Sequence, residues 1–348
     1  PFIFSGYWEL GWTVYAMAAA LTAGVGIEPG GGNAPRRHAR ALGVSIALVG
    51  AALIAVSIKT PSGVVFQKRN FYGIIRVRDI AARTAQGDLV RLRHRDMHHG
   101  TTLHGRQPYA DNGERLLDPT AYYTRRTGVG LLLDAHATIM PARRIAVIGL
   151  GAGVLASYTR ADDSIVFFEL DPDVAAVAQE HFSYLSGCRG RVEIVIGDGR
   201  LELSRRPSNE RFDIIVIDAF SSDSIPVHLL TREAFALYES RLTAGGALTV
   251  HLSNRFLDLR RVVARHAYDS GWGYCLIVND SHTPTHTFKS SWMVITRDDE
   301  LAGALDWICA DGIEDGWLKC VRPTTAVIEE FPVWTDDYSS IVPLFKTR

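Results

Sequence analysis

The stretch RIAVIGLGAGVLASY, residues 144–158, is an apolar run that breaks into three alternate glycines, Gly149, Gly151 and Gly153, and then resumes. An uninterrupted apolar run that ends in glycine is typical of a buried strand followed by a tight turn. Because glycine has no Cβ, the backbone of such a turn can approach a ligand closely, and the segment behind it presents free N–H groups. The spacing is GxGxG, whereas a dinucleotide-binding loop needs GxGxxG, so the turn predicts a ligand site of another kind.

Six more apolar segments follow this strand and alternate with amphipathic stretches. The predicted strands are 144–150, 164–170, 192–198, 212–220, 246–253, 274–280 and 290–296, and the main predicted helices are 172–182, 228–242 and 257–271. Continuous apolar strands that alternate with helices indicate a parallel sheet covered on both faces. The fold class is therefore predicted to be α/β, with a seven-stranded Rossmann-like domain over residues 144–348.

Acidic residues follow the second, third and fourth predicted strands. Glu169 ends the second strand in FFELD, Asp198 follows the third in IGDGR, and Asp218 follows the fourth in IDAFSSDSIP. Ligands of open α/β sheets bind beyond the carboxyl ends of the strands, so we expect these side chains in one cleft. There Glu169 would accept hydrogen bonds from ribose hydroxyls and Asp198 from an adenine amino group. The set predicts an adenosine site, although each acid alone could be a helix cap or a solvated loop end.

Asp218 is predicted to have a chemical role. A carboxylate beside a sulfonium and an amine can take the proton of the amine while its nitrogen attacks carbon. Asp223 and Pro226 lie in the short loop behind it. The alternative is that Asp218 caps a helix or braces the loop.

The first sixty residues differ from the rest of the chain. Residues 10–27 and 41–58 are each 18 residues long and carry no charge, which is at the lower end of the length that crosses a bilayer. We expect two transmembrane helices, and a pair of buried helices in a soluble protein is the alternative. Three arginines between the two segments are matched by three basic residues after the second one, so the charge bias does not decide the topology.

Residues 64–107 are rich in β-branched and aromatic residues, which predicts a small antiparallel β unit. The predicted order of the chain is a membrane helical segment, the N-terminal β unit, a bridging segment and a nucleoside-binding catalytic domain. Their predicted bounds are 1–60, 61–110, 111–143 and 144–348.

Composition limits the remaining functions. A formal net charge of −1 gives no electrostatic argument for nucleic-acid binding. Four scattered cysteines without a CxxC pair indicate neither a zinc site nor a disulfide framework. His94, His98, His99 and His104 are clustered in the sequence, but no set of acids or cysteines with ligand spacing accompanies them, so no metal site is predicted.

The motifs VIGLGAG, FFELD, IGDG and IDAFSSDSIP occur in this order. Together they resemble the spermidine synthase (polyamine aminopropyltransferase) family. The resemblance is closest to the bacterial branch in which the synthase domain is fused to membrane helices, and WTDDYSSI near the end is also similar to that branch. It spans residues 64–300 and implies a class I methyltransferase-like domain behind a small antiparallel β unit.

The resemblance implies a set of nucleoside-binding residues. Glu169 resembles the acid that binds the ribose, and Asp198 and Gly199 resemble the pair that binds adenine. Pro226 resembles the loop proline beside the adenine. Gln107, in LHGRQ, resembles the glutamine that ends the β unit and contacts the nucleoside.

The resemblance also implies residues on the amine side. Asp218 resembles the proton acceptor, and either Tyr122 or Tyr123 resembles the tyrosine that contacts the amine. Asp223 is expected to bind the same substrate, although the loop from Asp218 is longer than the DSSD or DSTD form of the family. Ala152 stands where the family carries an aspartate for the ammonium of decarboxylated S-adenosylmethionine, and a desolvated ammonium needs a counter-charge.

The expected function is aminopropyl transfer to a small-molecule amine by a spermidine-synthase-like enzyme. No permanently bound cofactor is expected, and the co-substrate is decarboxylated S-adenosylmethionine or S-adenosylmethionine itself. An S-adenosylmethionine-dependent methyltransferase is one alternative, and a non-catalytic domain that senses a nucleoside or polyamine is another. We expect attachment to the bacterial inner membrane through the N-terminal helices, with the catalytic domain in the cytoplasm. No nucleic-acid partner is expected, and a homodimer is one possible assembly.

Overall fold

The computed structural model describes residues 62–83, 89–100, 102–219, 226–254, 257–280, 287–314, 318–321, 328–329 and 331–345. The chain divides into two compact units, residues 1–79 and residues 80–348. The hydrophobic segments 10–27 and 41–58 lie outside the described residues, so the transmembrane helices stay a prediction. Within the described part of the chain, no helix combines the length and the apolar character needed to cross a membrane.

The first unit contains an antiparallel hairpin. Strand β1, Val64–Arg69, pairs with β2, Ile74–Arg83, which continues past residue 79. Asn70 shapes the turn, because its side-chain oxygen accepts the N–H groups of Tyr72 and Gly73 at 2.9 and 3.1 Å. Such Asx contacts are a common reason for asparagine in tight turns.

The second unit begins with another antiparallel hairpin, formed by β3, Leu89–His99, and β4, Thr102–Pro108. The pairing has a bulge, because Met97 pairs with Gly105 whereas the next residue, His98, pairs with Leu103. His104 is therefore the extra residue that has no place in the ladder. Two antiparallel hairpins confirm the antiparallel character predicted for this region.

The bridging segment contains a helix that the sequence pattern did not predict. Helix α1, Gly128–Ile139, is buried over most of its length. Gly128 and Gly130 allow close packing, because a Cβ at these positions would lie 2.5 Å from the Trp292 side chain and 2.2 Å from the carbonyl oxygen of Thr124. The two glycines weaken the helical signal in the sequence, although the fold requires them.

The remaining strands form one large mixed sheet. They are β5 (Arg144–Ile148), β6 (Ser164–Glu169), β7 (Arg191–Ile196), β8 (Phe212–Ile217), β9 (Leu242–His251), β10 (Gly273–Asn279), β11 (Ser290–Thr296) and β12 (Leu318–Val321). The order across the sheet is β12-β10-β11-β9-β8-β5-β6-β7. Strands β5 to β9 run parallel, whereas β11, β10 and β12 pair antiparallel. The α/β class and the seven predicted strands are confirmed, but the sheet is mixed and has an eighth strand, β12, whereas a parallel seven-stranded sheet was predicted.

Helices cover this sheet. They are α2 (Pro172–His181), the single turn α3 (Tyr184–Gly187), α4 (Gly199–Arg205), α5 (Arg232–Arg241), α6 (Arg260–Asp269) and α7 (Asp299–Glu314). Side-chain oxygens of Asp171 and Thr231 cap α2 and α5, as expected for these residue types. The C-terminal segment also packs here, because Trp334 is buried in the same apolar core as the α5 and α6 side chains.

Cys275 of β10 and Cys320 of β12 form a disulfide across neighbouring strands, with their Cα atoms 6.4 Å apart. The scattered cysteines predicted no disulfide framework, and this bond corrects that expectation. The two cysteines are 45 residues apart in the chain, so only the antiparallel register of β10 and β12 shows that they meet.

A buried ion pair between Arg143, just before β5, and Asp163, just before β6, also contacts helix α1 and the segment after the glycine turn. Arg143 donates to the Asp163 carboxylate at 2.7 Å, and both side chains are almost completely buried. The guanidinium also donates to the carbonyl oxygens of Leu133 in α1 and Tyr158 after the glycine turn, at 2.6 and 2.9 Å. Burial opposes the charged carboxyl of Asp163, but the hydrogen bonds from Arg143 and Arg160 outweigh it and lower its pKa.

We expect that Arg143→Met lowers the free energy of unfolding by about 3 kcal/mol, because it removes the main partner of a buried carboxylate. Arg144→Met is the matched control, since the adjacent Arg144 forms a half-exposed ion pair with Glu210, and it should cost less than about 1 kcal/mol. Urea unfolding of the three proteins measures both effects. Equal losses in the two variants would contradict a special role for the buried pair.

Candidate active site

The glycine turn after β5 is held against the protein's own backbone. The turn residues Gly149, Gly151 and Gly153 have φ values of +103°, +53° and +79°, which residues other than glycine rarely adopt. A Cβ on Gly149 would lie 2.5 Å from the carbonyl oxygen of Asp218, and one on Gly151 would lie 2.4 Å from that of His104. The bare backbone that was predicted to face a ligand is thus also required by two backbone contacts within the protein, with Asp218 after β8 and with His104 in β4.

Ala152 lies where the resemblance expects an aspartate. Its N–H donates to the carbonyl oxygen of His104 at 3.0 Å, and its methyl group is fully buried. Gly105 of β4 faces this methyl group, because a Cβ on Gly105 would lie only 2.4 Å from the Ala152 Cβ. The loop packs so tightly on β4 that a carboxylate has no space in this direction.

Glu169 ends β6 directly beside the glycine turn. One carboxylate oxygen accepts the Leu150 N–H at 3.0 Å, and the other accepts the Asp171 N–H at 2.9 Å. Burial raises the pKa of this carboxyl to about 7, against the effect of the backbone hydrogen bonds. Ribose hydroxyls that donate to Glu169 would favour its charged form. The position agrees with a ribose-binding acid, and the contact itself stays a prediction.

Asp198 caps helix α4. Its Oδ1 accepts the Leu201 N–H at 2.9 Å, and its Oδ2 lies 2.8 Å from Nε2 of His228. Gly199 follows, and a Cβ there would lie 2.5 Å from the Ile148 side chain. Both oxygens of Asp198 therefore have protein partners, which is the helix-cap alternative of the sequence analysis, and the adenine contact stays a prediction.

A cleft of about 860 Å³ opens beside this cap. Asp198 and His228 line it together with Asp336 of the C-terminal segment, and its volume is typical of a small-molecule site. Pro226 precedes a 3₁₀ turn, Val227–Leu229, that carries His228 to the edge of the cleft.

Asp218 is the most closely supported acid in the site. Tyr123 donates its phenolic hydrogen to Oδ2 at 2.7 Å, and Nδ1 of His251 lies 2.7 Å from Oδ1. The Asp218 side chain is only 10% exposed, so these two contacts fix the plane of the carboxylate. Burial and the Asp218 charge raise the pKa of Tyr123 well above its usual value, which keeps this hydroxyl a donor.

The two neighbouring tyrosines have different positions. Tyr123 contacts the carboxylate, whereas the ring of Tyr122 lies 5.5 Å from His251 and 5.6 Å from Phe288. The Tyr122 carbonyl oxygen accepts the indole N–H of Trp292 at 3.2 Å. The sequence did not decide which of the two tyrosines faces the site, and the structure shows that Tyr123 is the one that contacts Asp218. An amine contact by either tyrosine stays a prediction.

His251 was not among the predicted site residues. It ends β9, and its Nε2 lies 2.8 Å from Oγ of Ser253, which also accepts the Ser291 N–H at 2.9 Å. This chain of contacts assigns the hydrogen to Nδ1, which donates to Asp218, while Nε2 accepts from the Ser253 hydroxyl. The Trp292 ring stacks on the imidazole at 4.2 Å. The sequence signal was the polar HLS after an apolar strand, which a buried structural histidine would produce equally well.

Gln107 is fully buried at the end of β4. Its Nε2 donates to the Leu116 carbonyl oxygen at 3.0 Å, and its Oε1 accepts the Ser183 N–H at 3.0 Å. These contacts connect β4 to the bridging segment and to the start of α3. The nucleoside contact implied for Gln107 stays a prediction.

Two other sequence features complete the region. Asp223 lies outside the described residues.

Asp96 accepts two hydrogen bonds from Arg106, at 2.7 and 2.8 Å, and lies 3.7 Å from Nε2 of both His94 and His98. Among the residues that the structure describes, no group of three or more histidines, cysteines or acids is arranged to hold a metal ion.

Replacing Glu169 with glutamine should remove a pH dependence of stability. The pKa of this carboxyl rises from 4.5 to about 7 on folding, so the folded state binds the proton more tightly than the unfolded state. The contribution of Glu169 to the free energy of unfolding should therefore fall as the pH rises through this interval. Urea unfolding across the interval tests this as the difference in slope between the wild type and Glu169→Gln, with Glu180→Gln at an exposed position as the control that keeps the wild-type slope. An unchanged slope in Glu169→Gln would contradict the assignment.

Comparisons with known proteins agree with these motifs. No family model matches the chain. A polyamine aminopropyltransferase of Vibrio vulnificus is 33% identical over 135 residues, which are 37% of this chain and 42% of that protein. A putative O-methyltransferase of Mycolicibacterium vanbaalenii is 32% identical over 127 residues, which are 35% of this chain and 53% of that protein. The chain thus spans about half or less of the length of these relatives.

A solved structure of a probable spermidine synthase from Corynebacterium glutamicum has a TM-score of 0.55 at 15% identity and covers 81% of this chain and 99% of its own. This likeness shows a shared fold. The membrane-fused branch stays a prediction. Aminopropyltransferase names recur among the sequence relatives, so the chain is similar to the spermidine synthase family of transferases.

Proposed function

We propose that the chain transfers an aminopropyl unit, with or without its carboxylate, from an adenosyl sulfonium to a small-molecule amine. The donor is then decarboxylated S-adenosylmethionine or S-adenosylmethionine. The observation that carries the proposal is the Tyr123–Asp218–His251 arrangement at the end of β8, with the glycine turn against its backbone. Glu169 supports the nucleoside side of the proposed site through its contact with Leu150 of the turn.

In this mechanism the amine nitrogen attacks the carbon next to the sulfonium. The C–N bond forms as the C–S bond breaks, and the bonding pair moves to sulfur and neutralises its charge. Methylthioadenosine leaves, and the surplus proton of the new ammonium passes to Asp218. Tyr123 and His251 occupy one lone pair on each oxygen of Asp218. The free lone pairs can then accept from the amine and align it for attack, which supplies much of the rate.

Methyl transfer from S-adenosylmethionine is the second candidate. Two observations favour it: Ala152 offers no acid for the ammonium of decarboxylated S-adenosylmethionine, which lacks a carboxylate of its own, and relatives named putative O-methyltransferases also match the chain. The products distinguish the two reactions, because aminopropyl transfer releases methylthioadenosine and methyl transfer releases S-adenosylhomocysteine. Tight nucleoside binding without either product would support the third candidate, a non-catalytic sensing domain.

We also propose that residues 10–27 and 41–58 anchor the chain in the bacterial inner membrane, with residues 144–348 in the cytoplasm. The two uncharged segments of 18 residues support the anchor, and the cytosolic origin of the donor supports the orientation. Alkaline extraction of membranes, followed by protease treatment of spheroplasts, tests both parts. Release by alkali would contradict the anchor, and digestion from outside would contradict the orientation.

Asp218→Asn should lower kcat by about 100-fold or more and leave nucleoside binding nearly unchanged. The amide cannot take the proton of the attacking amine, although His251 can keep the contact by moving its hydrogen to Nε2. Chromatography of the released nucleoside measures turnover, and calorimetry with methylthioadenosine measures binding.

Asp162→Asn is the control for this experiment, because Asp162 is an exposed acid in the turn before β6. It should retain full turnover. A fully active Asp218→Asn variant would remove the proposed mechanism, whereas loss of binding together with activity would show that Asp218 has a structural role.

A further inference from the structure

His104 is the bulged residue of β4. The pairs Met97–Gly105 and His98–Leu103 leave it outside the ladder, and its carbonyl oxygen accepts the Ala152 N–H instead. A bulge of this kind changes the direction of a side chain, and such bulges are frequent beside active sites. The bulge therefore lets the His104 side chain depart from the alternation of the strand.

Two buried imidazole nitrogens at this bulge have no hydrogen-bond partner among the described residues. They are the Nε2 atoms of His99 and His104, and the ring centroids are 5.6 Å apart. Buried polar atoms of native proteins nearly always have a partner, and a missing one costs about 1–3 kcal/mol. Burial, together with the neighbouring His99, lowers the pKa of His104 to about 4, so at neutral pH the ring is uncharged and has one N–H to donate.

The histidine pair lies beside the expected path of the donor's alkyl chain. His104 holds the glycine turn through Ala152, and the Asp218 carboxylate is close enough to act on the His104 charge. The turn and Asp218 are the two sides between which the chain on sulfur has to run. Ala152 offers no acid for an ammonium on the donor's alkyl group. The two imidazoles, in contrast, offer N–H donors, which bind an anionic acceptor most strongly.

We propose that His99 and His104 form a carboxylate-binding subsite beside the glycine turn, and that the donor keeps its carboxylate, as in S-adenosylmethionine. The inference rests on the proposed function, because it takes the nucleoside cleft as the donor site. An acceptor that carries a carboxylate is the other source of the same chemical group.

Calorimetry with three nucleosides tests the subsite. The wild type should bind S-adenosylmethionine about tenfold or more tightly than its decarboxylated form, which is the effect of hydrogen bonds to a charged group. In His104→Phe this ratio should fall several-fold, because an aromatic ring stays while one of the two N–H donors is lost. His104→Gln keeps an N–H donor and should retain part of the ratio. The affinity for methylthioadenosine, which has no carboxylate, should be the same in all variants.

His94→Phe is the matched control, because His94 lies on β3, the strand of His99, but next to Asp96, and it should keep the wild-type ratio. Equal binding of the two donors by the wild type, or an unchanged ratio in His104→Phe, would overturn the subsite. Equal donor binding, combined with His104-dependent binding of 4-aminobutyrate in the presence of methylthioadenosine, would overturn the donor assignment in favour of the acceptor. Failure of the wild type to bind methylthioadenosine would instead overturn the proposed function.

Discussion

The carbonyl oxygen of His104 accepts the N–H of Ala152, and this backbone hydrogen bond fixes the glycine turn against the small hairpin. It exists because the bulge removes His104 from the strand ladder and leaves its carbonyl free. On its other side the turn lies against the backbone of Asp218, so tightly that only glycine fits at position 149. The nucleoside loop and the acid are thus positioned relative to each other by backbone contacts, before any ligand binds.

Three acids at the carboxyl ends of neighbouring strands differ chemically because their surroundings differ. Asp198 accepts the N–H of a helix start and faces an open cleft. Glu169 is half-buried and accepts the backbone N–H groups of Leu150 and Asp171, and desolvation raises its pKa so that it retains its proton up to an unusually high pH. Asp218 accepts from two side chains, Tyr123 and His251, which hold its orientation. All three acids follow strands in the sequence, and their partners in the structure give each a different chemical environment.

Apolar runs predicted the strands well, because burial on both faces leaves a continuous hydrophobic pattern. Such a pattern records burial and not direction, so the antiparallel pairing of β11 with β9 and β10 was not foreseen. The acids were found from their place after strands. His251 and the Cys275–Cys320 pair were missed, because each acquires its meaning from a partner distant in the chain. Helix α1 was missed because its glycines, which close packing against neighbouring residues requires, have a low helix propensity.

The surroundings of Asp218 come from separate regions of the chain: Tyr122 and Tyr123 before the sheet, His251 at the end of β9, and Trp292 in β11. The elements proposed to bind the nucleoside, in contrast, are the consecutive ones from β5 to α4. Under that proposal, substitutions in the dispersed segments around Asp218 can change the acceptor while the consecutive segment for the adenosyl group stays intact. Such modularity gives a physical reason why aminopropyltransferases and O-methyltransferases both appear among the relatives of a single chain.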